Sequence, residues 1–224
     1  MWRDIAVYSD LHLGDGGPSD DFCGPAWSDY RTVCAAEYAL ADSLWRDYRA
    51  GRIIVLNGDT VDGPIAAIEC VHPVVCTAIK HCVKRIIRGN HDRYAYKFCG
   101  HETVGGHLDF GDLRVMHGHQ FDVFNHGPLK VIGMAGAALG TLAEVLIHPD
   151  ADEWLDDKVA KWLGKGRYGD PDAYRKACMA YLAKHHEVQR LVIGHTHRFE
   201  PFCNGYANSG TWTGGRRDVL RTHF

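Results

Sequence analysis

Five times along the chain, a short run rich in Val, Ile and Leu ends in a cluster of Asp, Asn or His. Ile5-Ala6-Val7-Tyr8 leads to Asp10-Leu11-His12, and Ile53-Ile54-Val55-Leu56 leads to Gly58-Asp59-Thr60-Val61-Asp62. Lys84-Arg85-Ile86-Ile87-Arg88 precedes Gly89-Asn90-His91-Asp92. Leu113-Arg114-Val115 precedes Met116-His117-Gly118-His119, and Leu191-Val192-Ile193 precedes Gly194-His195-Thr196-His197. Such runs suit buried strands, and ligand sites in open α/β sheets gather beyond strand carboxyl ends. Convergence of the five ends would crowd three carboxylates, one amide and several imidazoles into one small space. Polarity of that density is costly to bury unless metal ions absorb it. The residues alone point to a metal site.

Composition narrows the class. At 224 residues the expectation is a single α/β domain with an insertion, and 46% hydrophobic residues can fill its core. The formal net charge of −3 supplies no global field toward nucleic acid or acidic membranes. Fifteen His is a high count, and His is the commonest side-chain metal ligand. The eight Cys contain no Cys-x-x-Cys pair, and Met1-Trp2-Arg3-Asp4 leads into the first strand without an apolar leader. A cytoplasmic chain with reduced, scattered thiols is expected.

In order, residues 3–9 read as a strand, and 14–28 as a Gly-, Asp- and Pro-rich loop whose Phe22 and Trp27 are placed over the rim of the site. Val33, Glu37, Leu40, Leu44 and Tyr48 recur at helical spacing, which predicts a helix over 29–49. Strands follow at 52–57 and 84–88, with a helix over 64–83 that continues past Pro73. Cys70, Cys76 and Cys82 do not share one face of that helix and read as packing residues. Residues 91–100 read as a polar-aromatic loop, and 107–110 with 113–116 as a hairpin around Gly111-Asp112. Further strands are expected at 190–193, 206–208 and 217–221.

Between Asn125 and Glu187 the strand signals vanish, and helices are expected at 128–147, 151–163 and 171–186. The apolar run Val131–Gly140 is too short for a membrane span, carries Glu144 close by and is bounded by Lys130 and His148. No transmembrane segment is expected. Two readings stay open for the run: a buried helix, or an apolar surface for a greasy substrate or peripheral membrane contact. Lys158, Lys161, Lys165, Arg167, Arg175 and Lys176 make the insert basic, either as a solvated face or as an anion-contacting lid. The expected organisation is a core of 1–124 and 188–224 with a helical cap of 125–187.

The five blocks together, Asp-x-His, Gly-Asp-x-x-Asp, Gly-Asn-His-Asp, a lone His before Gly, and Gly-His-x-His, resemble the calcineurin-like metallophosphoesterases. They occur in that order and run from residue 10 to residue 197. The resemblance implies an α/β/β/α sandwich of two mixed sheets flanked by helices, with a helical cap insert. It implies two divalent metal ions: Asp10, His12 and His197 for the first, Asn90, His117 and His195 for the second, and Asp59 as the bridge. Manganese is the first choice, with Fe, Zn or Co compatible with the donor set. The attacking group would be a metal-bound hydroxide. His91 is implied as the general acid at the leaving oxygen, oriented by Asp62. Asp92 reads as a structural capping residue. His119 and Arg198 are candidate substrate-binding residues, though His119 could equally pack. Asn208-Ser209-Gly210-Thr211-Trp212 resembles a late turn near the family's site.

The layout is closest to the UDP-2,3-diacylglucosamine pyrophosphohydrolase-like branch, through Ser9-Asp10-Leu11-His12-Leu13-Gly14, His117-Gly118-His119-Gln120-Phe121-Asp122 and Gly194-His195-Thr196-His197-Arg198. One departure matters: those lipid enzymes typically carry Arg where this chain has His91, and a fixed guanidinium cannot transfer a proton as imidazole can. The expected activity is therefore hydrolysis of a small phosphodiester or diphosphate. The alternatives are a nuclease of the same fold acting on DNA or RNA, and a lipid-linked UDP-sugar pyrophosphohydrolase. A non-catalytic scaffold fits poorly, because every ligand position carries the expected residue type.

Overall fold

Both faces of the first strand are buried. In β1 (Asp4–Tyr8), Ile5 and Val7 enter one apolar layer and Ala6 and Tyr8 another, and none of the four is exposed. β2 (Ile53–Asn57) repeats this, with Val55 beside Ile5 and Val7, and Ile54 and Leu56 in the layer of Tyr8. A strand buried on both sides is what a near-continuous β-branched run specifies. The computed structural model describes residues 4–15, 22, 35–62, 65–92, 94–121 and 171–224. The remaining strands are β3 (Val83–Ile87), β4 (Lys97–Phe98), β5 (His101–Val104), β6 (His107–Phe110), β7 (Leu113–Met116), β8 (Arg190–Ile193), β9 (Phe199–Cys203), β10 (Tyr206–Ser209) and β11 (Leu220–His223). The helices are α1 (Ala35–Arg49), α2 (Ile65–Val71), α3 (Pro73–Cys82) and α4 (Pro171–Lys184).

Two mixed sheets result, ordered β11-β1-β2-β3-β5-β4 and β6-β7-β8-β10-β9. β1, β2, β3 and β5 run parallel, as do β7, β8 and β10, with antiparallel partners toward the edges. Three apolar layers follow from the alternation. Leu40, Leu44, Ile68, Val75 and Ile79 pack α1, α2 and α3 on the first sheet. Ile5, Val7, Val55 and Ile87 meet Leu113, Val115, Val192 and Ala207 between the sheets. Tyr174 and Cys178 of α4 cover Met116, Leu191, Ile193 and Tyr206 on the outer face of the second sheet. The fold is thus the expected two mixed sheets flanked by helices.

Several local expectations need correction. The helix over 64–83 is two helices, bent by 103° at His72. Proline lacks an N–H and clashes with the preceding turn, and it drives the residue before it out of helical geometry. His72 accordingly sits at φ −113°, ψ 56°, and Pro73 opens α3. Glu37 of α1, itself buried, caps α3 from outside by accepting the N–H groups of Val74 and Val75. Phe22 packs edge-on against His72 in the helical layer and not at the site, while Trp27 lies outside the described residues. Tyr48, expected on the buried face of α1, is half exposed. The loop expected over 91–100 contains β4, and both β5 and β9 went unread because neither carries an apolar run or a fully buried residue. Of the three cysteines in that helical region, Cys76 and Cys82 pack in the core and Cys70 is exposed. The predicted helices at 128–147 and 151–163, with most of the cap, lie outside the described residues. No single helix among the described residues is long and apolar enough to cross a membrane.

One polar cluster ties the helical layer to the first sheet. The fully buried Asp47 of α1 accepts hydrogen bonds from Tyr8 Oη (2.6 Å), Arg52 Nη1 (2.7 Å) and Arg221 Nε (2.8 Å). Burial opposes its ionisation, but the hydrogen bonds from Arg221 and Tyr8 outweigh burial and hold the carboxyl below its ordinary range. Removing one partner of a buried ion pair costs about 3 to 5 kcal/mol. Asp47→Asn is therefore expected to lower the urea-unfolding free energy by about 3 kcal/mol. Because the folded carboxyl is the stronger acid, its stabilisation is complete above the unfolded value near ~4 and fades as pH falls through the folded value. The gap between wild type and variant should shrink only in that acid range. A variant within about 0.5 kcal/mol of wild type at pH 7 would contradict this role.

Candidate metal centre

Past the strand ends, the chain stays zipped. Asp10 N–H donates to Gly58 O, His12 N–H to Asp59 O, Leu13 N–H to Thr60 O and Asp62 N–H to Leu13 O. The loops after β1 and β2 therefore run side by side in fixed register, with a bridge between Leu13 and Val61. On the second sheet, Gly194 N–H donates to His117 O. Asn57 Nδ2 reaches Met116 O at 3.0 Å and Ser9 Oγ meets Ser209 Oγ at 2.8 Å, which pins the ends of the two sheets together. The carboxyl ends of β1, β2, β3, β7 and β8 so deliver all five motif blocks to one place.

The backbone there is unusual. Seven non-glycine residues among those described have positive φ, and five of them are predicted ligands: Asp10, His12, Asp59, His195 and His197. Each such residue costs about 1 to 3 kcal/mol of local strain, a cost that tends to concentrate at functional sites. Two glycines make the approach possible. A Cβ at Gly89 would stand 2.0 Å from Asp59 Oδ1, and one at Gly58 (φ 82°) would stand 2.2 Å from His117 Nδ1.

Among the described residues three sets of side chains bring ligand atoms within 4.8 Å of one another: Asp10, His12 and His197; Asp59, His117 and His195; and His12, Asp62 and His91, the first two being the ligand groups drawn from the predicted metal residues. Asp10 Oδ1 is 3.3 Å from His197 Nε2, and both its oxygens accept the His195 N–H. Asp59 Oδ2 is 3.0 Å from His117 Nε2, and 4.0 Å from His12 Nε2, which makes no hydrogen bond. His117 Nδ1 faces the Asn57 carbonyl at 2.8 Å, leaving Nε2 for the site. Asn90 stands on the β3 turn between Gly89, which packs on Asp59, and His91, whose N–H donates to Asp59 Oδ1 at 3.0 Å.

Electrostatics follow from this crowding. Burial opposes ionisation of Asp10 and Asp59, but surrounding imidazoles, His117 foremost, hold both carboxyls below their ordinary range, Asp59 well below. Burial disfavours the charged form of His117, yet Asp59 and Asp10 raise it to about 9. A field that favours imidazolium favours a metal cation in its place. Carboxylate, amide oxygen and imidazole suit a first-row divalent ion, and the bare His12 Nε2 beside Asp59 is where one fits.

His91 is partly exposed at the open side, its Nδ1 3.4 Å from Asp62 Oδ1. Burial works against its charge, but Asp59 and Asp62 overcome burial and raise it to about 10. Asp92 is expected to cap the segment after it; its carboxylate instead accepts the N–H groups of Gly89 and Thr60, which precede it. Burial, with the Asp59 charge, pushes Asp92 up to about 6. The His119 ring lies 5.4 Å from that of His117 and 6.5 Å from that of His195. Arg198 is exposed beside His197. The late turn supports the site rather than lining it: Asn208 Nδ2 donates to Gly194 O, Thr211 Oγ1 to Asp10 O, and Trp212 N–H to Asp10 O.

Sequence reasoning missed two supports. Asn57 is a fully buried amide at the end of an apolar run, and its polarity there was a readable signal. Tyr174, whose ring packs 5.7 Å from that of His195, sits on α4 and carried none.

A family model described as calcineurin-like phosphoesterase matches residues 3–199. Among solved structures, a dimetal phosphatase from Danio rerio aligns over 98% of this chain and 91% of its own, at 12% identity and a TM-score of 0.51. A conserved protein from Streptococcus pneumoniae, described as a predicted phosphoesterase, aligns over 100% of this chain and 84% of its own, at 14% identity and a TM-score of 0.44. At 12% identity, the Danio rerio match speaks for the fold alone. None of the curated proteins matches the sequence. The family model spans all five motif blocks and most of the chain, so the protein belongs to the calcineurin-like phosphoesterases, metal-binding hydrolases of phosphate esters.

Proposed function

We propose that the protein is a dinuclear metal-dependent phosphoesterase that hydrolyses a phosphodiester or diphosphate bond in a small substrate. The observation that carries this is the position of Asp59, whose Oδ2 faces His117 of one ligand group and His12 of the other. Asp10, His12 and His197 would hold one ion, Asn90, His117 and His195 the second, with Asp59 between them. Manganese suits the mixed oxygen and nitrogen donors, and Fe, Zn or Co are compatible. Bound there, two such ions supply a nucleophile at neutral pH and neutralise charge on the phosphoryl oxygens.

The chain's own groups do the rest. Asp62 faces His91 Nδ1 at 3.4 Å, which leaves Nε2 for the substrate. The Asp62 carboxylate beside Nδ1 favours the protonated imidazole, so His91 can give its proton to the leaving oxygen. His119, whose ring lies beside those of His117 and His195, and Arg198, exposed next to His197, are proposed to contact the substrate, Arg198 through a second anionic group. Residues 125–187 are proposed to shape selectivity.

Three outcomes test this reading. Chelated protein supplied with Mn should hydrolyse a chromogenic diester or a nucleotide-sugar diphosphate; no turnover on any substrate and no bound metal would sink it. Asp59→Asn should lose most of its metal and more than about 100-fold in turnover, as should Gly89→Ala, whose new methyl occupies the space of the Asp59 carboxylate. His91→Ala should keep its metal while turnover drops about 100-fold or more, most for substrates with poor leaving groups. Metal analysis by mass spectrometry beside leaving-group series separates these cases, and loss of metal from His91→Ala would refute the acid assignment.

A further inference from the structure

His12 is buried between two carboxylates. Its Nδ1 lies 3.5 Å from Asp62 Oδ2 and its Nε2 4.0 Å from Asp59 Oδ2. A neutral imidazole carries one proton, so an Nε2 that faces a cation with its lone pair requires that proton on Nδ1. On Nδ1 it faces Asp62 across 3.5 Å, a charge contact rather than a formed hydrogen bond. The other oxygen of the same carboxylate, Oδ1, lies 3.4 Å from His91 Nδ1, and the two rings meet edge to face with centroids 4.8 Å apart.

Asp62 is held in this position by backbone. Its N–H donates to Leu13 O, and His12 N–H donates to Asp59 O, so the loops bearing the two residues are locked in register. The other buried ligand imidazole is fixed differently: His117 turns its Nδ1 to the backbone carbonyl of Asn57. One ligand is therefore faced by a backbone carbonyl, and the other by a side chain that also faces His91.

We infer that Asp62 is a positioning residue for His12 as well as for His91, one oxygen to each, so that affinity at the first metal position and orientation of the acid depend on one carboxylate. The inference rests on the ligand assignment proposed above. Losing the outer partner of a ligating histidine typically weakens metal binding about 10- to 100-fold.

The test is calorimetric titration of chelated wild type, Asp62→Ala, Asp62→Asn and His91→Ala with Mn. Asp62→Ala should bind one ion normally and the other about 10- to 100-fold more weakly. Asp62→Asn, whose single amide oxygen can still accept from one imidazole, should recover part of that loss, and His91→Ala should bind both ions as wild type does. A general structural defect would weaken both positions and would not be rescued by Asn. Wild-type affinity at both positions in Asp62→Ala would overturn the inference while leaving the proposed function intact. Equal weakening in His91→Ala would also overturn it, because His12, Asp62 and His91 would then be acting as a cage for an ion. A wild-type protein that binds no Mn would remove both the inference and the function it rests on.

Discussion

Two fully buried carboxylates, Asp10 and Asp59, stand next to each other at the meeting point of two sheets. Left alone they would repel each other and would pay heavily for desolvation. The surrounding structure answers this charge. Imidazoles of His12, His117 and His197 press against the carboxylates, the N–H groups of His91 and His195 donate to them, and Gly58 and Gly89 clear the space. The strained backbone at five ligand positions makes sense only as part of the same arrangement. A fold that needed stability alone could place apolar residues here.

The strands matter chiefly as a means of delivery. Parallel pairing aligns the carboxyl ends of β1, β2 and β3 in one sheet and of β7 and β8 in the other. The apolar layer between the sheets fixes how those ends face each other. Ser9, Asn57 and Ser209, all fully buried, then join the ends by hydrogen bonds in a region too crowded with charge for apolar packing. Polar residues at the ends of apolar runs are thus as much a part of the scaffold as the runs themselves.

Legibility in the sequence followed the same physics. Strands buried on both faces, such as Ile53–Asn57 and Arg190–Ile193, announce themselves as apolar runs, and the ligands announce themselves as the residues that end those runs. Half-buried edge strands such as Phe199–Cys203 do not, because their neighbours decide their pairing. The break at His72 was written in Pro73, but the helical spacing of the apolar residues around it masked the signal. Positive φ at Asp10 or His197 left no trace at all, since the strain is imposed by contacts between segments more than 180 residues apart, as in the hydrogen bond from His195 N–H to Asp10. Of the two contacts of Asp62, the one with His91 was implied by the motifs, whereas the one with His12 depends on loop register, which no motif encodes.

The most direct test of the central claim is anomalous scattering from crystals grown with manganese. The account predicts two peaks about 3.5 to 4 Å apart on either side of Asp59, one among Asp10, His12 and His197 and the other among Asn90, His117 and His195. A single peak, or peaks that leave Asp59 in contact with only one ion, would contradict it.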